Sequence, residues 1–290
     1  MSVRAAQEGG NRVTSGAVEL VFARPRGERT IIQRQFANYP FHICRGFNFD
    51  GDPQGMSTVY LQSLAGGIYE HDRLSLGFEV SRGAAAHVTT QASTIVHSMT
   101  EGCARQEARI GLEPGSFFEY LPDPMILFPG ARLASHLRIR SAPGTSAIIC
   151  DSFLLHDPHG KAGVFDQLIS EIRIEDARGN VLALDRFGIS GLEYADLAFP
   201  IAGPSPAHGT FMVLNRDLAP ERLTQILGDA LHGASMAGAV SAGASELPNG
   251  CGVWARLLCE DGAALCRTME DAWMAARQAL HGSLPARRRK

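Results

Sequence analysis

Three stretches of this sequence decide its fold: FEVSRGA at residues 78–84, IGLEPGS at 110–116 and IRSAPGT at 139–145. In each, a strand-like run leads to a turn that contains glycine, and a small residue then opens the next strand. Glycine can adopt the positive φ that tight turns require, and the proline before it in the second and third copies presets the corner. The glycines recur at intervals of 32 and 29 residues, as Gly83, Gly115 and Gly144. A repeat of about 30 residues predicts stacked strand–turn–strand layers, each covering a face of its neighbour.

Short apolar runs of the same kind extend from about Val18 to Gly209, separated by Gly, Pro, Asp and Asn. Such runs are typical of strands, and examples are His87–Val96, Phe117–Leu121 and Ala147–Leu155. Glycine turns at a similar spacing occur in any all-β protein, so an unlayered β fold is the alternative. We predict a mainly β fold of stacked antiparallel or mixed sheets built from these layers.

Two helices are predicted in the C-terminal third. The first, at about 220–232, begins with proline, places leucines and isoleucine on one face, and is followed by Gly233 as a stop. The second, at about 263–281, has apolar residues at helical spacing and Gly282 as its stop.

The composition favours one domain. The chain has 290 residues, of which 45% are hydrophobic and 20% charged, so it can form a full core. We predict a flexible lead-in at 1–16, a single β-rich domain at 17–283 and a basic tail at 284–290, which is either a solvated terminus or a binding site. A net charge of −3 gives no reason to expect nucleic acid as the main partner.

Several features favour the cytoplasm. No apolar run of about 18 residues is present, and the start lacks the apolar segment of a signal peptide. The six cysteines form no CxxC pair, so we expect most of them to be small buried residues in a reducing compartment. We therefore expect no membrane association.

Motifs of catalysis and nucleotide binding are absent from the sequence. Two of the remaining polar clusters supply candidate site residues. Glu70, His71 and Asp72 follow a Gly-Gly pair, and on a strand the two carboxylates would share a face and could hold a divalent ion loosely; a polar turn is the alternative. On a hydroxyl-rich strand at 89–94, Thr90 and Thr94 would share one side, as a hydrated channel wall or as an ordinary exposed face.

Five blocks of the sequence, in order along the chain, resemble the UreD/UreH family of urease accessory proteins. They are STVYLQSLAGGIYEHDRLSL at 57–76, the TTQAST strand within 84–98, EYLPDPMILF at 119–128, GASELP at 243–248 and VWARLL at 253–258. Two features depart from the family pattern. Many members have Gly-Gly-Asp where this chain has Glu70-His71-Asp72, and HDPHGKAGVF at 156–165 lacks the usual Gly-Glu pair.

The resemblance implies a largely β scaffold without catalysis, and hence no catalytic or cofactor-binding residues. Members of the family bind apo-urease and a helical accessory protein, UreF, which recruits a nickel-carrying GTPase, UreG. Nickel passes through a water-filled passage in the scaffold, so we expect transient Ni²⁺ and no tightly bound cofactor. Sparse carboxylates, hydroxyls and water suit a carrier that must release its metal.

The matching blocks supply the candidate site residues. Asp72 and Glu119 are candidate transient nickel ligands, although Asp72 could instead cap a turn or pair with Arg73, and Glu119 could hold donors of a neighbouring strand. Glu70 and His71 are secondary metal candidates, and Thr90 and Thr94 are candidate walls of the route. Trp273 is a candidate anchor for the helical accessory protein, or a core residue.

Two other functions stay open at this point. The departures at Glu70-His71 and at 156–165 leave room for a scaffold of the same family that serves another metalloenzyme. A β-scaffold hydrolase that uses Ser, His and Asp groups brought together by folding is the second alternative.

Overall fold

The computed structural model describes residues 15–25, 29–49, 52–53, 55–202, 206–236 and 239–286. The predicted lead-in lies outside these ranges except for Ser15 and Gly16, which begin the first strand. Of the predicted basic tail, residues 287–290 lie outside them.

Seventeen strands form the body of the described protein. Numbered β1 to β17 in chain order, they are Ser15–Ala23, Ile31–Ala37, Phe41–Ile43, Ser57–Ser63, Arg73–Val80, Ala85–Thr90, Ile95–Val96, Ala104–Leu112, Phe117–Tyr120, Met125–Leu127, Arg132–Ser141, Ser146–Leu155, Gln167–Asp176, Val181–Ile189, Ala207–Leu214, Val240–Glu246 and Gly252–Cys259. Three helices accompany them: α1 at Gly191–Ala202, α2 at Pro220–Met236 and α3 at Gly262–His281.

The strands form two sheets. The seven-stranded sheet has the order β14-β13-β11-β8-β5-β1-β2, and the ten-stranded sheet has the order β16-β17-β15-β12-β9-β6-β4-β3, with β10 paired to β12 and β7 paired to β10. Pairing is parallel from β1 to β13 in the first sheet and from β4 to β12 in the second, and antiparallel towards the ends. The prediction of a mainly β fold with stacked, mixed sheets is confirmed.

The repeated turns stack as the sequence predicts. Gly83, Gly115 and Gly144 have φ values of 67°, 71° and 69°, which an L side chain rarely adopts. A Cβ placed on Gly115 would lie 4.0 Å from the Gly83 nitrogen, and one on Gly144 would lie 3.9 Å from the Gly115 nitrogen. Each turn therefore lies directly on the one before it, and this fixes the in-register pairing of the strands on either side.

Apolar side chains occupy much of the space between the two sheets. Phe78 of the seven-stranded sheet contacts Phe118 and Tyr120 of the ten-stranded sheet, with ring centroids 5.7 and 5.5 Å apart. A second apolar cluster lies on the other face of the ten-stranded sheet, where α2 and α3 cover it through Leu223, Leu265 and neighbouring residues. Apolar clusters therefore pack on both faces of the ten-stranded sheet.

The helices differ from the sequence prediction in two respects. Gly233 does not end the first predicted helix, because α2 continues to Met236. The second is observed as α3, and Gly282 ends it with a φ of 68°. The helix α1 was not predicted, although Ser190 and Glu193 form a capping box at its start: the Glu193 amide donates to the Ser190 hydroxyl, and the Ser190 amide donates to the Glu193 carboxylate. No helix within the described ranges is long and apolar enough to cross a membrane.

Candidate functional site

A row of polar side chains crosses the inner face of the seven-stranded sheet. Gln106 pairs with Ser135, and Ser135 pairs with Ser170, on adjacent parallel strands. Two positions away on either side of Ser135, the inner residues Leu133 and Leu137 belong to two separate apolar clusters. The row therefore divides the apolar core between the sheets.

A second row crosses the facing side of the ten-stranded sheet. Asp151 of β12 pairs with Thr210 of β15, which pairs with Arg256 of β17. Along β12, Asp151 lies between Ile149 and Phe153, which are buried in the two separate clusters. The alternation of side chains along a strand puts all three of these β12 residues on the same inner face.

A hydrogen bond connects the two rows. The Ser170 hydroxyl donates to Asp151 Oδ2 at 2.9 Å. We call the two rows together, with Asp185 opposite Arg256, the polar seam; its members are Gln106, Ser135, Ser170, Asp151, Thr210, Arg256 and Asp185. The seam is a continuous set of polar groups in the interior of an apolar sandwich.

One part of the seam opens into a cavity of about 240 Å³ between the sheets. Gln106, Ser135 and Asp151 line its inner end. Its other walls include residues of β3, of β4 and of the segment that follows β6. These strands lie at the β3 end of the strand order of the ten-stranded sheet. The cavity therefore extends from the β3–β4 side of the sandwich to the middle of the seam.

The carboxyl group of Asp151 is the central ionisable group of the seam. Burial raises its pKa, the Ser170 hydrogen bond lowers it, the negative charge of Asp185 raises it and the positive charge of Arg256 lowers it. Burial dominates, because a carboxylate is poorly stabilised away from water. Asp151 thus offers an oxygen ligand whose ionised form is only partly stabilised by its neighbours.

The opposite end of the seam lies at the β14 side of the sandwich. Arg256 forms an ion pair with Asp185 of the edge strand β14, and its guanidinium lies 4.8 Å from the Trp254 ring and 5.4 Å from the Phe187 ring. The neighbouring His208 has a pKa lowered to about 3 by burial and by Arg256, so its imidazole is neutral at physiological pH. Arg256 thus places a positive charge at this end of the seam.

The structure places Thr90 and Thr94 on the cavity wall. β6 ends at Thr90, so the predicted hydroxyl-rich strand at 89–94 is corrected to a strand end followed by a turn. The Thr90 hydroxyl contacts Asp123 twice, donating to its carboxylate at 3.1 Å and accepting from its backbone amide at 2.8 Å. The role of both threonines as walls of a nickel route stays a prediction.

Asp72 is a buried residue in the turn before β5. Its carboxylate accepts a hydrogen bond from the Tyr69 amide at 2.8 Å, which fixes the turn. It does not line the cavity between the sheets. The turn-capping alternative for Asp72 therefore has a contact to support it, while its role as a nickel ligand stays a prediction.

Glu70 and His71 lie in the same turn, which replaces the strand that would have aligned Glu70 with Asp72. His71 has a φ of 67°. The Glu70 carboxylate accepts hydrogen bonds from the amides of Thr100, Glu101 and Gly102, and these bonds, the one from Gly102 foremost, lower its pKa to about 2. Glu70 is therefore held by a neighbouring loop, and its role as a metal ligand stays a prediction.

Glu119 points away from the seam, towards α3, and is fully buried. Its carboxylate accepts from Trp273 Nε1 at 2.8 Å and from Arg277 Nε at 2.7 Å, and it lies 2.7 Å from His87 Nδ1. Burial opposes ionisation of Glu119, but the contacts with His87 and Arg277 outweigh it and bring the pKa to about 2. The contact with His87 of β6 is the one that the neighbouring-strand alternative for Glu119 predicts, and the contacts with α3 are additional. The role of Glu119 on a nickel route stays a prediction.

Trp273 belongs to the same buried network. Its side chain is 7% exposed and its ring centroid lies 5.4 Å from that of His87. These contacts support the alternative that Trp273 is a core residue. Direct docking of a partner on Trp273 stays a prediction that would require α3 to move.

Within the described part of the chain, no group of three or more His, Cys, Asp or Glu side chains is arranged to hold a metal ion. Asp151, Ser170 and Arg256 were not among the residues predicted from the sequence, and the fold brings them to the seam. One signal was available: Asp151 interrupts the apolar run AIICDSFLL at 147–155, and an acid in a buried strand is seldom placed there for packing.

Comparisons with known proteins point to one family over nearly the whole chain. The family model described as "UreD urease accessory protein" matches residues 14–290. A urease accessory protein UreD 1 from Methylorubrum extorquens is 41% identical over 93% of this chain and 90% of its own length. One from Pseudomonas syringae pv. syringae is 35% identical over 96% of both chains, and a urease accessory protein UreD from Haloarcula marismortui is 32% identical over 90% of this chain and 86% of its own.

Proposed function

The chain belongs to the UreD urease accessory protein family, and from that premise we propose that it is a non-catalytic assembly protein. In this proposal it binds apo-urease and conducts nickel towards the urease active site. It works in the cytoplasm together with a UreF-type helical protein, and through that complex with a UreG-type nickel GTPase. The ion is the cargo of the protein and not a resident cofactor.

The polar seam is the observation that supports conduction. A hydrated dication cannot cross an apolar core, because burying a charge without polar partners is very costly. The seam offers oxygen atoms from Gln106, Ser135, Ser170, Thr210 and Asp151 across that core, and the cavity gives water access to its middle. Single carboxylates and hydroxyls bind Ni²⁺ weakly enough for the ion to move on.

The assembly role rests on the family and on the relatives described above, which are named as urease accessory proteins. α2 and α3 lie on the outer face of the ten-stranded sheet, and their solvent-facing sides remain accessible to a partner. The α3 surface is therefore the first region to test for contact with a helical accessory protein.

Urease activation at limiting nickel tests the proposal. We expect strains lacking this protein to make nickel-poor, weakly active urease, and the protein to recover urease subunits on affinity capture from native lysate. Fully active urease in the deletion strain would contradict the assembly role. Capture of a different metalloenzyme instead would identify another client, and reproducible hydrolytic turnover by the purified chain would favour the hydrolase alternative.

A further inference from the structure

Arg256 introduces a positive charge into a seam whose other charged members, Asp151 and Asp185, are acidic. Its side chain is 34% exposed, it pairs with Asp185 of the edge strand, and two aromatic rings hold its guanidinium in place. Asp151 lies two strands away in the same sheet, in the order β12-β15-β17. Neighbouring strands are about 4.8 Å apart, so the two backbones are separated by about 10 Å.

Charges on side chains of strands this close interact measurably within a protein. At an effective dielectric constant of about 20, a dication next to Asp151 would be repelled by Arg256 and attracted by Asp185. Arg256 and Asp185 form an ion pair at this end of the seam, so their two charges act on an ion at Asp151 in opposite directions. Without Arg256, Asp151 and Asp185 would present two acidic groups to the same ion.

We propose that Arg256, positioned by Asp185, Trp254 and Phe187, is the release residue of the seam: its charge keeps the affinity for a dication low, so that the ion is passed on and not trapped. The inference rests on the proposed function and deepens it, since it assigns to one side chain the balance between holding and releasing the cargo. Arg256 contacts no metal in this scheme and acts through the electrostatic field at Asp151.

Equilibrium dialysis of the full-length chain against Ni²⁺ alone tests this assignment. Arg256→Gln removes the charge and keeps a polar side chain, and we expect it to tighten Ni²⁺ binding at least about fivefold. Arg256→Lys keeps the charge and should bind Ni²⁺ within about twofold of the unmodified protein. Arg109→Gln is the matched control, because Arg109 also pairs with a carboxylate but lies 66% exposed on the outer face of the other sheet.

Asp185→Asn provides a second test with the opposite sign. It leaves Arg256 without its ion-pair partner, so Ni²⁺ binding should become weaker than in the unmodified protein. Because Asp185→Asn and Arg256→Lys alter fewer contacts, they keep the proposal testable if Arg256→Gln does not fold.

The outcomes separate this inference from the proposed function. Unchanged Ni²⁺ affinity in Arg256→Gln and Asp185→Asn, with urease capture and activation intact, would overturn the release role alone. Tighter binding in Arg256→Gln together with slower nickel transfer to urease supports it. Loss of urease capture by the unmodified protein would instead count against the proposed function, whatever Ni²⁺ affinity the dialysis measures.

Discussion

The Ser170 hydroxyl and the Asp151 carboxylate lie 2.9 Å apart, and their hydrogen bond spans the space between the two sheets. Ser170 belongs to one polar row and Asp151 to the other, so this contact makes the two rows one seam. The same contact places an acid between two apolar clusters, where its charge is a cost to the fold. We therefore expect the carboxylate of Asp151 to lower the stability of the protein while it supports the proposed conduction of nickel.

The first prediction is that Asp151→Asn stabilises the protein at neutral pH. Burial raises the pKa of Asp151, so the folded state binds the proton more tightly than the unfolded state and is penalised at a pH above both values. Asparagine can still accept the Ser170 hydrogen bond but carries no charge. We expect a higher melting temperature at pH 7, and a difference that narrows as the pH falls through the folded pKa of Asp151.

Thermal unfolding at several pH values measures this effect. Asp229→Asn, at an exposed position of α2, is the control and should change the stability by less than about 0.5 kcal/mol. A lower melting temperature for Asp151→Asn at pH 7 would mean that neighbouring groups compensate the carboxylate well, which contradicts the cost assigned to its burial.

The second prediction concerns the buried pair of Glu119 and Arg277. Glu119→Gln leaves the fully buried guanidinium without its closest counter-charge, and we expect a loss of about 3–5 kcal/mol of unfolding free energy. Glu107→Gln removes a carboxylate from an exposed ion pair and should cost less than about 1 kcal/mol. Urea denaturation of both variants gives the comparison, and equal losses would refute a stabilising role for the buried network.

The pH dependence of stability provides an independent check on Glu119. Its pKa in the folded protein is about 2 against an ordinary value of 4.5. A lowered folded pKa means that the stabilisation is complete above pH 4.5 and disappears as the pH falls towards 2. Glu119→Gln should therefore differ most from the unmodified protein at neutral pH, and the two should converge in acid.

The third prediction tests the stacked turns. Gly115 has a φ of 71°, so Gly115→Ala should destabilise the protein by about 1 kcal/mol or more through backbone strain. Gly228 lies within helix α2 with no heavy atom in reach of an added Cβ, so Gly228→Ala should stabilise by up to about 1 kcal/mol. Chemical denaturation should show changes of opposite sign in the unfolding free energy of the two variants. An unchanged unfolding free energy for Gly115→Ala would argue against the strained turn.

The fourth prediction separates the two roles considered for Asp72. Asp72→Ala removes the acceptor of the Tyr69 amide and should cost about 1 kcal/mol of stability. Asp72→Asn keeps an acceptor without the charge. If the turn contact is the whole role of Asp72, urease activated with this variant will contain a normal amount of nickel, whereas low nickel in an intact complex would support Asp72 as a ligand on the route.

The sequence predicted the layers because local chemistry fixes them. Gly83, Gly115 and Gly144 form turns with positive φ, and glycine in such a turn can be recognised from the local sequence. Their regular spacing along the sequence predicts the stacking. The helix α3 was predictable for a similar reason, since its apolar spacing and Gly282 are local features. Helix α1 had a local signal too, in the Ser190–Glu193 capping box.

The seam had no comparable local signal. Gln106, Ser135 and Ser170 are separated by about one layer each, and only the register of the parallel strands aligns them. Arg256 and Asp185 come from different sheets and meet across the interior. Glu119 shows the converse: it lies in a recognisable sequence block, but the strand alternation turns it towards α3 and away from the cavity.

The nickel content of urease activated in a complex with the Asp151→Asn protein tests the central claim most directly. The complex should form normally, since the substitution is internal and keeps the hydrogen bond to Ser170. At limiting nickel we expect urease to recover less than half of the nickel that it receives with the unmodified protein, and Asp229→Asn to give full loading. Full nickel loading with Asp151→Asn in an intact complex would contradict the claim that the polar seam conducts the ion.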